Sequence, residues 1–230
     1  MSVQPPIPQP PSPQAAKMDL GAYVSKAWAL VTADLALFIV GYLVMVLIIV
    51  VSAITIVGPL IIAGPLAFGY LRIVQKRIKG EPAAIGDVFQ GFHDFGKGFV
   101  TVLLILVCSL VVVIPLIIVN IILAFIPCVG QVIAPLLGIA VSLALQGALF
   151  FAMSIAALSD VQPMDAIKQS IKFCVANLWP VILLALVAGL IGSAGVIACG
   201  IGIFFTVPLG MAIGVIAYND YYLPNASSVV

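Results

Sequence analysis

Charge disappears from this chain in three long runs. Residues 35–71, 98–159 and 173–219 carry no Asp, Glu, Lys or Arg and are 37, 62 and 47 residues long. A helix rises 1.5 Å per residue and needs about 20 residues to cross the hydrocarbon core of a bilayer. Each run holds two crossings and none holds four, which gives six transmembrane helices. Proline and glycine mark the turns. Gly58-Pro59 divides the first run, because proline lacks an amide donor and clashes with the preceding helical turn. Gly64-Pro65 then lies near the start of the second helix, which Gly80 and Pro82 stop. In the second run a third helix starts near residue 99. Pro115 and Pro127 break the chain or fold it into a re-entrant connection, and Pro135 restarts a fourth helix that ends near Leu158. In the third run Gly189, Gly192 and Gly195 crowd the end of the fifth helix, Gly200 and Gly202 form the turn, and Pro208 kinks the sixth.

The segments between these runs have helical periodicity. In residues 19–34, Leu20, Tyr23, Val24, Ala27 and Val31 share a face, the pattern of a helix lying in the membrane interface. The same residues also suit the first turns of a long transmembrane helix. Phe89, Phe92, Phe95 and Phe99 fall about once per turn, a stripe for lipid headgroups or for the underside of the bundle. Gly91, Gly96 and Gly98 weaken a helix there, so tertiary or lipid contact must hold it. Pro163 suits the first position of another short helix and Asp165 its positive end. Met164, Ile167, Ile171 and Cys174 make its apolar face. Tyr218, Tyr221 and Tyr222 read as an interfacial belt at the end of the sixth helix.

Composition decides the solvent. Sixty-four per cent of residues are hydrophobic and 7% are charged, against about 25% charged in soluble domains. So few polar groups cannot cover a water-exposed surface. The net charge of +1 leaves no broad basic face for nucleic acid. The basic residues occupy three places only: Lys17 and Lys26, Arg72 to Lys97, and Lys168 with Lys172. Lys and Arg gather on the cytoplasmic side, so these segments and both termini are expected there. The fold class is all-α, a polytopic membrane protein with six transmembrane helices, Pro/Gly breaks and short interfacial amphipathic helices. Residues 1–18 form a Pro/Gln-rich tail expected to be disordered, 19–222 the transmembrane domain and 223–230 a short C-terminal tail. The start lacks the basic and apolar regions of a signal peptide, so no cleavage is expected.

The three units resemble one another, each an amphipathic segment followed by two helices. Gly64-Pro65-Leu66, Ala134-Pro135-Leu136 and Val207-Pro208-Leu209 recur about 70 residues apart, and Met18-Asp19 and Met164-Asp165 open the first and third units. This suggests a three-fold helical-hairpin repeat in parallel orientation. Gly64-Pro65-Leu66 with Gly69-Tyr70, residues 87–92, and residues 163–170 with Asn177 and Trp179 together resemble a family of bacterial and archaeal six-helix membrane proteins known as a domain of unknown function. That family is related to the membrane domain of glycerophosphodiester phosphodiesterases. The resemblance covers residues 19–222. It implies a prokaryotic inner membrane protein without a defined activity, and the phosphodiesterase catalytic domain is absent.

Candidate chemistry is sparse. The cysteines form no C-x-x-C pair, and no zinc site, iron–sulfur site or other cofactor is expected. Cys128 and Cys199 fall at outer turns, where they form a disulfide in an oxidising compartment or stay buried thiols. His93-Asp94 has the composition of an acid–base pair, but adjacent helical residues diverge and no nucleophile accompanies them. Asp34 binds an ion, or caps a helix and pairs with Lys26 or a basic loop residue. With no carboxylate inside a span, an ion-coupled pump is disfavoured. Asn120, Gln131 and Gln146 are expected to bond neighbouring helices. Arg72, Lys76, Arg77 and Lys79 are candidates for anionic-lipid contact, or simply follow the positive-inside rule. The function expected is non-enzymatic: a lipid-interacting or scaffold protein, or an accessory subunit, with membrane lipids and a membrane-protein partner or a second copy as partners. The alternative is a transporter or channel for a small neutral or lipidic solute.

Overall fold

The computed structural model describes residues 18–55, 57–126, 129–197, 200 and 202–226. Among them there is no strand. Six helices are long and apolar enough to cross a membrane. Cys128, Cys199 and the N-terminal tail lie outside the described residues.

The first amphipathic segment is a separate helix, α1 (Leu20–Ala33), capped by Asp19, whose side chain accepts from the Ala22 amide at 2.9 Å. It buries Tyr23, Ala27 and Val31, three members of the expected face, mainly against the last spanning helix. Asp34 ends it and caps the next helix, α2 (Leu35–Ser52). Helix α3 (Gly58–Ile78) starts at Gly58-Pro59, with proline in the first turn where its missing N–H costs nothing. Gly80 ends α3 at φ +74. Its amide bonds Arg77 O at 3.2 Å and that of Glu81 bonds Lys76 O at 2.9 Å, a Schellman closure that needs a left-handed residue.

The phenylalanine segment forms a 3-10 helix (Ile85–Asp94) leading directly into α4 (Phe95–Ala124). What holds this glycine-weakened stretch is α3. A Cβ built on Gly69 would lie 1.8 Å from Val88 O, one on Gly91 1.8 Å from Pro65 O, and one on Gly64 2.1 Å from Gly98 O. The two backbones touch with no room for side chains. Small residues permit such approach, and dispersion and carbonyl contacts then replace side-chain packing. The four phenylalanines stack outward in a ladder, with centroids 6.2–6.4 Å apart.

Helix α4 runs unbroken through Pro115 to Ala124, where a helix break or re-entrant connection was expected. Transmembrane helices tolerate proline because local adjustments re-satisfy the freed backbone. The interruption comes instead after α5 (Val129–Leu149), at Phe150-Phe151, before the short α6 (Ala152–Leu158). Helix α7 (Pro163–Ala176) begins at Pro163 as expected. Its buried face is Ala166, Ile167, Ser170, Phe173 and Cys174, while Met164 and Ile171 are exposed, so the helix is turned from the expected orientation. Phe173 sets this rotation by packing edge-on against Phe151 and Tyr222.

Helices α8 (Leu178–Ile197) and α9 (Ile203–Ala217) complete the bundle, and Pro208 lies inside α9. The chain then widens into a π-turn, Tyr218–Tyr222. Its three tyrosines are buried, not arrayed as a belt, with hydroxyls reaching Asn177 from Tyr221 (3.3 Å) and Gln169 from Tyr222 (3.1 Å). Helices α3 and α9 form the centre. Pro65-Leu66 and Pro208-Leu209 are buried there, whereas Leu136 in α5 is 61% exposed.

The seam makes a direct prediction. Gly69→Ala or Gly91→Ala should destabilise by about 1–3 kcal/mol or more through overpacking. Gly192→Ala, where a Cβ meets nothing within 4 Å, should be neutral or stabilising by up to about 1 kcal/mol from helix propensity. Thermal unfolding of the detergent-solubilised variants checks both signs.

Candidate functional site

The ion pairs gather at one end of the bundle. Arg72 in α3 pairs with Asp94 and also donates to Gln90 O at 3.2 Å and Ala157 O at 3.4 Å. Lys76, one turn on, reaches Asp87 at 3.0 Å and Gln90 Oε1 at 3.2 Å. Arg77 pairs with Asp34 at 3.0 Å, which both caps α2 and binds a basic residue, as one sequence reading expected. Lys97 donates to Ser159 O at 2.6 Å. Gln75 and Asn219 exchange two amide hydrogen bonds, 3.1 and 2.7 Å, tying α3 to the π-turn. Lys26 of α1 pairs with Asp220 of that turn.

Of the four candidate lipid-binding cations, three thus hold the protein together. Lys79 is the one with no polar partner among the described residues. His93 and Asp94 do not act as a pair, since Asp94 is turned to Arg72. The Arg72 guanidinium holds the Asp94 carboxyl below the usual carboxylate range. Asp87 is lowered too: its partial burial pushes the other way, but the Ala84 amide and Lys76 outweigh it.

A second feature lies within the spans. A cavity of about 410 Å³, open on one side as a groove, sits between α3, α5, α6, α8 and α9, within the about 300–1,000 Å³ of small-molecule sites. Glycines make its floor: Gly189 and Gly192 of α8 and Gly210 and Gly214 of α9. Phe150, Met153 and Met211 supply adaptable apolar surface. Two polar side chains face it, Gln146 and Ser154. Gln146 was expected to bond a neighbouring helix. An exposed residue, it makes no hydrogen bond among the described residues, and its Oε1 lies at the mouth of the groove against Gly189, 3.4 Å from where a Cβ would be. Asn120 likewise bonds only Leu116 O of its own helix, at 2.9 Å. Ser154 is 5% exposed and has no hydrogen-bond partner either.

The chain break belongs to this wall. Phe151 turns into an aromatic cluster with Phe150, Phe173 and Tyr222. This interrupts the helix between Gln146 and Ser154. The carbonyl of Ala148, freed by the break, accepts from the buried Ser170 hydroxyl at 2.7 Å. Irregular backbone at membrane depth is found where protein buries it or where it lines a cavity, and both conditions hold here. Sequence reading noted Gln146 and the glycines but assigned both to helix packing. Ser154 and the Phe150-Phe151 break gave no signal, because neither residue type disfavours a helix strongly.

Models of known protein families, curated proteins and solved structures were all compared with the chain, and none of them matches it.

Linkage gives a pH prediction. A carboxyl whose pKa falls on folding contributes stability above its unfolded pKa, about 4, and loses it as pH drops through the folded value. Stability in detergent should therefore hold from pH 7 to about 5 and decline below about 4. In Arg72→Gln/Asp94→Asn the acid limb should be shallower, since the pair that titrates is gone.

Proposed function

We propose that this chain is a non-enzymatic integral membrane protein that interacts with lipid, holding an apolar molecule in the cavity between its spanning helices, as a scaffold or an accessory subunit of a membrane complex. The cavity with its unpartnered Gln146 and Ser154 carries this reading. An amide and a hydroxyl facing apolar space are costly unless something completes them. The lipid contact thus moves from Arg72, Lys76 and Arg77, whose charges are met by carboxylates, into the bundle. Lys79 is left as the cation available to a headgroup.

A second reading is a transporter for a small neutral or lipidic solute. The α5/α6 break beside the cavity favours it, since discontinuous helices build the central sites of many transporters. The resemblance to the six-helix domain family remains part of the proposal. It is supported by Gly64, Pro65, Gly69, Val88 and Gly91 meeting in the α3 seam. So does the three-fold repeat, supported by α1, the 3-10 helix and α7 each preceding a pair of spans. We place the charged end in the cytoplasm, in a prokaryotic inner membrane, because its loops hold the Lys and Arg.

Native mass spectrometry of the gently extracted protein tests the lipid reading. Wild type should retain a lipidic adduct, and Gly192→Leu, which fills the cavity, should lose it while remaining monodisperse. Equal retention by both would remove the cavity from the proposal. A stoichiometric protein partner would identify an accessory subunit, and flux of a neutral solute into proteoliposomes would favour the transporter.

Orientation has its own test. Cysteines at Gly80 and Gln162 should react only with a cytoplasmic reagent and one at Gly200 only from the opposite side. Labelling of Gly80 and Gly200 from one side contradicts six crossings.

A further inference from the structure

The cavity wall restricts what it can hold. This inference rests on the cavity reading above and adds the chemistry of the ligand. The Gln146 amide offers two donors and an acceptor, and the Ser154 hydroxyl both donates and accepts. No charged side chain lines the cavity. Arg72, one residue beyond the lining Leu71, is turned to Asp94 and Gln90 O. A charged headgroup would enter without a counter-charge, and its desolvation penalty exceeds what two neutral hydrogen bonds return. An alkane would leave both wall groups without partners. Gln146 lies in α5 and Ser154 in α6, on either side of the Phe150-Phe151 turn, and each group calls for a partner of its own.

We infer that the cavity binds an uncharged amphiphile whose head carries two or more hydroxyl or ester oxygens, the chemistry of a monoacylglycerol. Its head oxygens lie between Gln146 and Ser154, and its chain lies along the glycine faces of α8 and α9. Three features converge on this: a glycine-lined apolar wall, an unpartnered amide, and an unpartnered hydroxyl on a residue 5% exposed. The two polar groups flank the helix break, where the Ala148 carbonyl already has a partner in the Ser170 hydroxyl at 2.7 Å.

Photolabelling of the full-length protein in nanodiscs tests this, with a diazirine-bearing monoacylglycerol and a diazirine-bearing alkane as probes. Labelled peptides are mapped by mass spectrometry. Wild type should be labelled saturably by the monoacylglycerol on α5, α8 and α9. Unlabelled monoacylglycerol should compete, and dodecyl phosphate should not. Gln146→Leu/Ser154→Ala should raise half-saturation for the monoacylglycerol by roughly fivefold per lost hydrogen bond, about 25-fold for both, with alkane labelling little changed. Wild-type-like saturation of the double variant, or equal competition by dodecyl phosphate, overturns the ligand chemistry and leaves the cavity reading standing. No saturable labelling by either probe overturns both. The competition series uses wild type alone, so the inference stays testable if the double variant does not fold.

Discussion

The contact on which the rest of this protein depends is between two stretches of bare backbone. Along the α3 seam, Gly64, Gly69, Gly91 and Gly98 bring backbone atoms to within 1.8–2.8 Å of positions that any other residue would fill with Cβ. The remaining architecture follows from that contact. It holds a 3-10 helix that has little intrinsic stability and fixes its register on α3. Asp87, Gln90 and Asp94 then stand opposite Lys76 and Arg72. Arg72, so placed, also reaches the Ala157 carbonyl and, with Lys97 on Ser159, secures the end of α6.

Glycine has opposite uses in the two halves of the molecule. In the seam, every added Cβ meets backbone. On the cavity wall a Cβ at Gly192 meets nothing, one at Gly214 lies 3.8 Å from the Phe150 ring and one at Gly189 3.4 Å from the Gln146 amide, while Gly210, 3.0 Å from Ala188 O, also serves the close packing of α9 on α8. The same residue type in the same apolar context closes one interface and holds another open. Sequence spacing does not separate the two cases, because small residues at intervals of three or four look alike on paper. What separates them is the partner surface. Val88 and Pro65 press their own backbone into the seam, whereas the Cβ positions of Gly189 and Gly214 meet only side chains and that of Gly192 meets no atom within 4 Å.

Much of the fold was legible because the bilayer imposes strict lengths and because charge is costly inside it. The six spans, the stop at Gly80, the start at Pro163 and the capping role of Asp34 all rest on strong local signals: a charge-free run, a left-handed glycine, a proline first turn and an acidic cap. The errors share one cause. Pro115 was read as a break on intrinsic propensity, yet a helix in lipid has no water to reward breaking. Phe150-Phe151 was read as helix on the same scale, yet aromatic packing with Phe173 and Tyr222 interrupts it. The tyrosines of the π-turn were read as a lipid belt from their position, but hydrogen-bond partners on α7 and at the α7–α8 junction draw them inside. In each case tertiary contact overrode a weak local preference.

The site was half legible for the same reason. Gln146 was conspicuous in an apolar run, and the natural expectation was a bond to a neighbouring helix. That expectation holds when helices are close enough to supply a partner. Here Gln146 faces α8 at Gly189, which has no side chain to offer, and the cavity beyond. The cations show what spacing leaves out. Four basic residues beside a span invite a lipid headgroup, but they were counted without the carboxylates that folding brings to them. Asp34, Asp87 and Asp94 lie 43, 11 and 22 positions from their partners, distances that periodicity within one helix cannot bridge. A polar group inside a span acquires meaning from what is missing around it, and a charged group at the membrane surface from what is present. Both depend on which helices meet, and in this chain the glycine seam determines that.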